Sequence, residues 1–145
     1  DAFISIHCNA ADNTSASGWE IFTTPSQNNS DKLATAIGES YGAANPNMKS
    51  RLDFSDGDLD KEANFTVIKG TNCPSCLLEL GFISNEAEEG VLNDPQYQED
   101  AAKAIAHGVL DYLGITIDGG QVEAEPLTVE QRLDDIEARL DAANI

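Results

Sequence analysis

Phe3-Ile4-Ser5-Ile6-His7 and Cys76-Leu77-Leu78-Glu79-Leu80-Gly81-Phe82 are the two runs on which the fold turns. Both are short, apolar and bounded by turn residues, so both read as buried strands. Each carries one residue that does not belong in such a strand. His7 closes the first, and Glu79 interrupts the second. A buried carboxylate costs several kcal/mol, roughly, unless it is paired, protonated or bound to something. An imidazole ending one strand and a carboxylate inside another offer a metal ligand and a proton-handling group, the pair that a mononuclear zinc hydrolase requires.

Working outward, Ala11 to Ser17 is a polar loop, and Gly18-Trp19-Glu20-Ile21-Phe22 reads as a second strand. Ser30 is placed to cap a helix carrying Leu33, Ala36, Ile37 and Tyr41 at helical spacing. Asn45 to Glu62, rich in Asn, Asp, Ser and Gly, predicts a long surface loop bordering a substrate groove. Phe65-Thr66-Val67-Ile68 is strand-like. Asn85, with Glu88 three positions on, has the form of a capping box opening a helix after Ser84. Asp94-Pro95 opens another helix, with Ala102, Ile105, Val109 and Tyr112 on one stripe and Gly114 at its end. Helices that separate and follow strands predict an α/β layer fold, a mostly parallel or mixed central sheet flanked by helices.

The chain has 145 residues, enough for one domain with a real core plus a tail. Its 26 acidic and 8 basic residues give a net charge of −18, which argues against nucleic acid and against an anionic membrane surface. The acidity reads as a strongly solvated surface rather than as catalytic machinery. No apolar run reaches the roughly 20 residues of a membrane helix, and no targeting signal is visible. Three cysteines do not complete a disulfide framework.

The wording around the two odd residues carries a resemblance. Phe3-Ile4-Ser5-Ile6-His7-Cys8-Asn9-Ala10, then Gly18-Trp19-Glu20, then Cys73-Pro74-Ser75-Cys76-Leu77-Leu78-Glu79-Leu80-Gly81-Phe82-Ile83-Ser84-Asn85 resemble the zinc-dependent N-acetylmuramoyl-L-alanine amidases, in that family's order. These are peptidoglycan hydrolases of bacterial cell walls and phage endolysins. The resemblance spans about residues 1 to 115 and implies amide hydrolysis with zinc as cofactor and peptidoglycan as partner, in the wall or outside the cell. It implies His7 as a metal ligand and Glu79 as the catalytic acid–base residue. Without it, a hydrogen-bonded histidine and a glutamate paired with Arg51 or Lys69 would serve as well. The family holds its metal with two histidines and a glutamate, and two of these lie upstream of the segment matching Ser5-Ile6-His7. With Asp1 opening the chain, the expectation is a domain lacking its opening segment, with one ligand of three. That leaves a non-catalytic fragment, binding wall material or assembling through its tail, as the competing reading.

Other motifs point elsewhere and more weakly. Cys73-Pro74-Ser75-Cys76 has the spacing of a redox centre, but runs into a strand rather than a helix N-terminus. A structural zinc site joining Cys8, Cys73 and Cys76 to His7 is disfavoured, because period-two geometry puts His7 and Cys8 on opposite faces. Asp56, Asp58 and Asp60 imitate the start of an EF-hand loop, yet Lys61 and Val67 stand where glycine and glutamate are needed, so a solvated acidic loop is expected. His107 reads as a packed or surface residue. Residues 116–126 form an acidic linker with Gly119-Gly120 and Pro126. In residues 127–145, Val129, Leu133, Ile136, Leu140 and Ala143 step by four and three, a short heptad seam for a homo-oligomer or for docking on the same chain.

Overall fold

A computed structural model describes residues 1–115. The linker and the heptad-patterned helix expected over 116–145 lie outside the described residues. In chain order the elements are β1 (Phe3–Asn9), β2 (Glu20–Thr23), α1 (Asn29–Ala44), β3 (Lys61–Glu62), α2 (Thr66–Lys69), β4 (Ser75–Phe82), α3 (Glu86–Leu92) and α4 (Pro95–Leu113). The strands form one mixed sheet in the order β1-β4-β2-β3. β1 runs parallel to β4, β2 runs antiparallel to β4, and β3 runs parallel to β2. Helices flank this sheet, so the α/β reading holds. No helix among the described residues is long and apolar enough to cross a membrane.

Alternation along the strands sorts the residues onto two faces. Ile21, Cys76 and Leu78 join Trp19, Leu33, Ile37, Tyr41 and Ile105 in one core, so this face is the one covered by α1, with α4 packed on α1. The intervening residues Glu20, Glu79 and His7 fall on the other face. Trp19 meets Tyr41 edge to face at 5.1 Å between ring centroids. Such contacts add about 0.5–1.5 kcal/mol beyond the apolar area buried.

Several local expectations need correction. α1 is capped by Asn28 rather than Ser30: its side chain accepts from the Ser30 N–H at 2.8 Å, and Asp31 reciprocates at the Asn28 N–H. Ser30 is buried inside the helix, where its hydroxyl accepts from the Ser75 N–H at 3.1 Å. Phe65 to Ile68 is no strand; Thr66–Lys69 makes a single helical turn that buries Ile68 and leaves Thr66 and Val67 exposed. Four apolar residues carry too few periods to separate the two geometries. The stretch from Asn45 to Glu62 is only partly a surface loop, since Asn45, Leu59 and Asp60 are buried and Lys61–Glu62 pairs with β2.

α4 begins and ends as expected, with Asp94 accepting from the Gln96 N–H at 2.9 Å and Gly114 in a left-handed conformation. Its buried stripe is rotated, however, to Ala101, Ala104, Ile105 and Gly108, while Ala102 is exposed. Close approach to α1 sets that rotation. A Cβ at Gly108 would lie 2.5 Å from the Ile37 Cα, so only glycine admits α1 there.

Candidate active site

The site forms where three strands run side by side. His7 on β1 stands opposite Glu79 on β4, and Glu79 stands opposite Glu20 on β2. Residues in register across a sheet point to the same face, so imidazole and two carboxylates form one row. β1 is an edge strand among the described residues, and His7 is exposed on it. Glu79 is half-buried, yet its Oε2 is shut off from solvent and has no hydrogen-bond partner among the described residues. Burial pushes its carboxyl above the ordinary glutamate value, His7 pulls it back, and Glu20 pushes it up again. The two residues expected to act together are therefore brought together.

Glu20 is the site residue that sequence reasoning missed. It is buried and paired with Arg51, with the Lys61 Nζ at 3.4 Å from the same oxygen. Arg51 also lies over the Phe82 ring, 5.3 Å from its centroid. The alternative in which Arg51 neutralises Glu79 is thus excluded, because Arg51 is engaged by Glu20, and no ion pair to Glu79 occurs among the described residues. The signal was available. Trp19-Glu20-Ile21-Phe22 is an apolar strand interrupted by a carboxylate, as Leu77-Leu78-Glu79-Leu80 is.

Glu88 holds the frame beside the row. Its Oε1 accepts from the Gly18 N–H at 2.7 Å and its Oε2 from the Phe82 N–H at 2.8 Å. One carboxylate thereby ties the start of β2 to the end of β4. Asn85 does cap α3, accepting from the Ala87 and Glu88 N–H groups, but Glu88 does not return the bond as a capping box would. Gly18 has φ +112°, and a Cβ there would lie 2.8 Å from the Lys49 carbonyl oxygen, so this junction requires glycine.

The remaining candidates stand apart. Cys8 is exposed and Cys76 buried; all three cysteines are free thiols, and burial pushes Cys76 up to about 12. Cys73, the first thiol of the C-x-x-C motif, precedes strand β4 rather than a helix N-terminus, so it lacks the setting that activates a redox thiol. His107 is exposed on α4, the helix packed on α1. Among the described residues, the one group of three or more ligand-type side chains close enough to share an ion is Asp31, Asp58 and Asp60. His7 is in no such group.

Comparison with known proteins agrees with the mixed sheet flanked by helices. The model of the N-acetylmuramoyl-L-alanine amidase family Amidase_3 matches residues 1–111. The N-acetylmuramoyl-L-alanine amidase LytC of Bacillus subtilis is 37% identical over 114 residues, covering 77% of this chain and 21% of that protein. The probable cell wall amidase LytH of Staphylococcus epidermidis is 32% identical over 112 residues, covering 77% of this chain and 35% of that protein. Among solved structures, the N-acetylmuramoyl-L-alanine amidase from Clostridium difficile 630 superposes with a TM-score of 0.70 at 30% identity, covering 79% of this chain and 58% of that one. The chain thus spans about a fifth to a third of the length of these two curated relatives.

Proposed function

Because this chain belongs to the N-acetylmuramoyl-L-alanine amidase family, we propose that it contributes Glu79 and His7 to the hydrolysis of peptidoglycan, at the amide between the lactyl group of N-acetylmuramic acid and L-alanine. One observation supports this above all: a carboxylate oxygen, buried and without a partner, in register with an imidazole. In the reaction Glu79 accepts a proton from the attacking water as its oxygen bonds to the carbonyl carbon. It then returns that proton to the departing L-alanine nitrogen as the C–N bond breaks. A carboxyl raised by burial suits both halves of that exchange.

Zinc, when bound, supplies polarisation of the carbonyl and a lowered water pKa. The donor chemistry here fits in part. His7 offers a nitrogen ligand of the kind zinc takes, and Glu79 keeps an uncommitted oxygen beside it. Catalytic zinc takes three protein ligands, and His7 belongs to no group of three among the described residues. The reading therefore requires ligands besides His7. The same observation favours the second reading for the 145 residues alone, a non-catalytic piece that binds wall material.

Residues 116–126 serve in this proposal as a linker, and the heptad pattern of 127–145 serves self-association. The place of action is the cell wall or the exterior, whether as an autolysin or as an endolysin released by a phage. Zymograms on purified cell wall separate the two readings. The 145-residue chain should release its zinc to a chelator and clear little wall, whereas a protein that supplies the histidine and glutamate ligands implied by the family resemblance should clear it. Zinc retained by the 145 residues through chelator dialysis would overturn the ligand assignment. Absence of clearing by the completed protein would overturn the hydrolase.

A further inference from the structure

Asp31, in the first turn of α1, meets Asp58 and Asp60 from the loop before β3, with one ligand atom of each within 4.8 Å of the others. This is not the solvated acidic loop that the sequence suggested. Asp60 is 2% exposed and Asp31 4%. Thr23 lies between them, its Oγ1 at 2.6 Å from the Asp60 Oδ2 and 3.1 Å from the Asp31 Oδ1. A hydroxyl has one proton, so it can satisfy one of these two acceptors. The outer oxygens of the cluster are engaged, with Asp31 Oδ2 accepting from the Asn28 N–H and Asp58 Oδ2 from the Gln27 Nε2 at 3.0 Å. Two of the inner ones are not. Asp58 Oδ1 and Asp60 Oδ1 are both buried without a hydrogen-bond partner among the described residues.

Three carboxylates facing one another, two with an orphaned inner oxygen, need a positive charge or a proton between them. No ion pair to any of the three occurs among the described residues. A cavity of about 410 Å³, lined by Gln27, Asp31, Lys32, Asp56 and Asp58, opens to solvent on the Asp31 and Asp58 side of the cluster. We propose that Asp31, Asp58 and Asp60 bind one calcium ion, which fastens the loop before β3 to α1. The donors are hard oxygens only, three carboxylates with the Thr23 hydroxyl adjacent, which suits calcium and leaves positions for water. The EF-hand pattern misleads here because the third carboxylate comes from a helix 27 residues earlier than Asp58, not from the loop. The loop so fastened runs from Arg51 to Lys61, the two cations that hold Glu20 beside Glu79. The proposal does not depend on the amidase reading.

The competing occupant is a proton. Burial and the neighbouring carboxylates push Asp60 up to about 7, and Asp58 lies within hydrogen-bonding reach of it. Calorimetry and thermal melts on the 145-residue chain, stripped with EDTA and titrated with CaCl2 near neutral pH, decide between them. The expected result is saturable uptake of one ion per chain, and a Tm raised by roughly 5 °C at saturation. Magnesium at equal concentration should do less, since it demands a stricter octahedron. D58N and D60N should each weaken calcium at least roughly tenfold. D111N, at an exposed carboxylate on α4 that does not line this cavity, should leave it unchanged. No heat and no shift up to about 10 mM CaCl2 would overturn the proposal. So would an equal shift in D58N, which would mean general screening of the −18 charge. Should calcium be inert while D58N itself raises Tm, the occupant is the shared proton, and the proposal fails.

Discussion

Glu88 and Glu79 are glutamates nine residues apart, the first buried and the second half-buried, and their environments are opposite. Glu88 has each carboxylate oxygen on a backbone N–H, one from Gly18 and one from Phe82. Glu79 has a buried oxygen with no partner and faces an imidazole on one side and a second carboxylate on the other. A group whose hydrogen bonds are complete has no capacity left for a substrate, and its role is to hold strands. A group left incomplete costs stability and is retained where chemistry uses it. The contrast divides this part of the molecule into a fastening and the proposed working site.

The larger effect on folding should come from the fastening. Glu88→Ala leaves the Gly18 and Phe82 N–H groups unsatisfied, at about 1–3 kcal/mol each. Urea titration should show a loss near 3 kcal/mol, roughly a hundredfold in the folding constant. A loss below about 1 kcal/mol would mean that water replaces the carboxylate and that Glu88 fastens nothing.

Glu79 should behave in the reverse sense, with a smaller effect. Its folded-state pKa is raised, chiefly by burial, so ionisation costs the folded state. The stability it contributes is complete below the unfolded glutamate value and is lost as pH rises through the folded value. Glu79→Gln should therefore melt with the parent in acid and slightly above it at neutral pH. Glu39→Gln, at an exposed glutamate in the interior of α1, controls for removal of one negative charge. A Glu79→Gln difference that matches the control at every pH would show that Glu79 is not strained by burial.

Much of this was legible in the sequence. His7 and Glu79 were visible because each breaks an apolar strand, a local signal that survives without knowledge of the partner strands. The register that sets them opposite each other was not, since β1 and β4 are separated by more than sixty residues. Glu20 carried the same signal as Glu79, but Arg51 and Lys61, which explain it, lie in a stretch whose composition reads as loop. Glu88 fitted a capping box by spacing, and only the tertiary approach of Gly18 and Phe82 diverts its side chain. Gly108 was passed over for a similar reason, because a glycine required by a neighbouring helix looks locally like any other. The α4 stripe was placed by hydrophobicity when small size decided it.

The assignment of Glu79 is tested most directly in a protein with its zinc site complete, by comparing parent and Glu79→Gln for zinc content and for release of L-alanine amino termini from purified peptidoglycan. Glutamine keeps the shape and removes the titratable proton. The account predicts unchanged zinc and a rate lower by roughly a hundredfold or more. Near-normal release with zinc in place would contradict it, and loss of zinc together with activity would make Glu79 a ligand rather than the proton carrier.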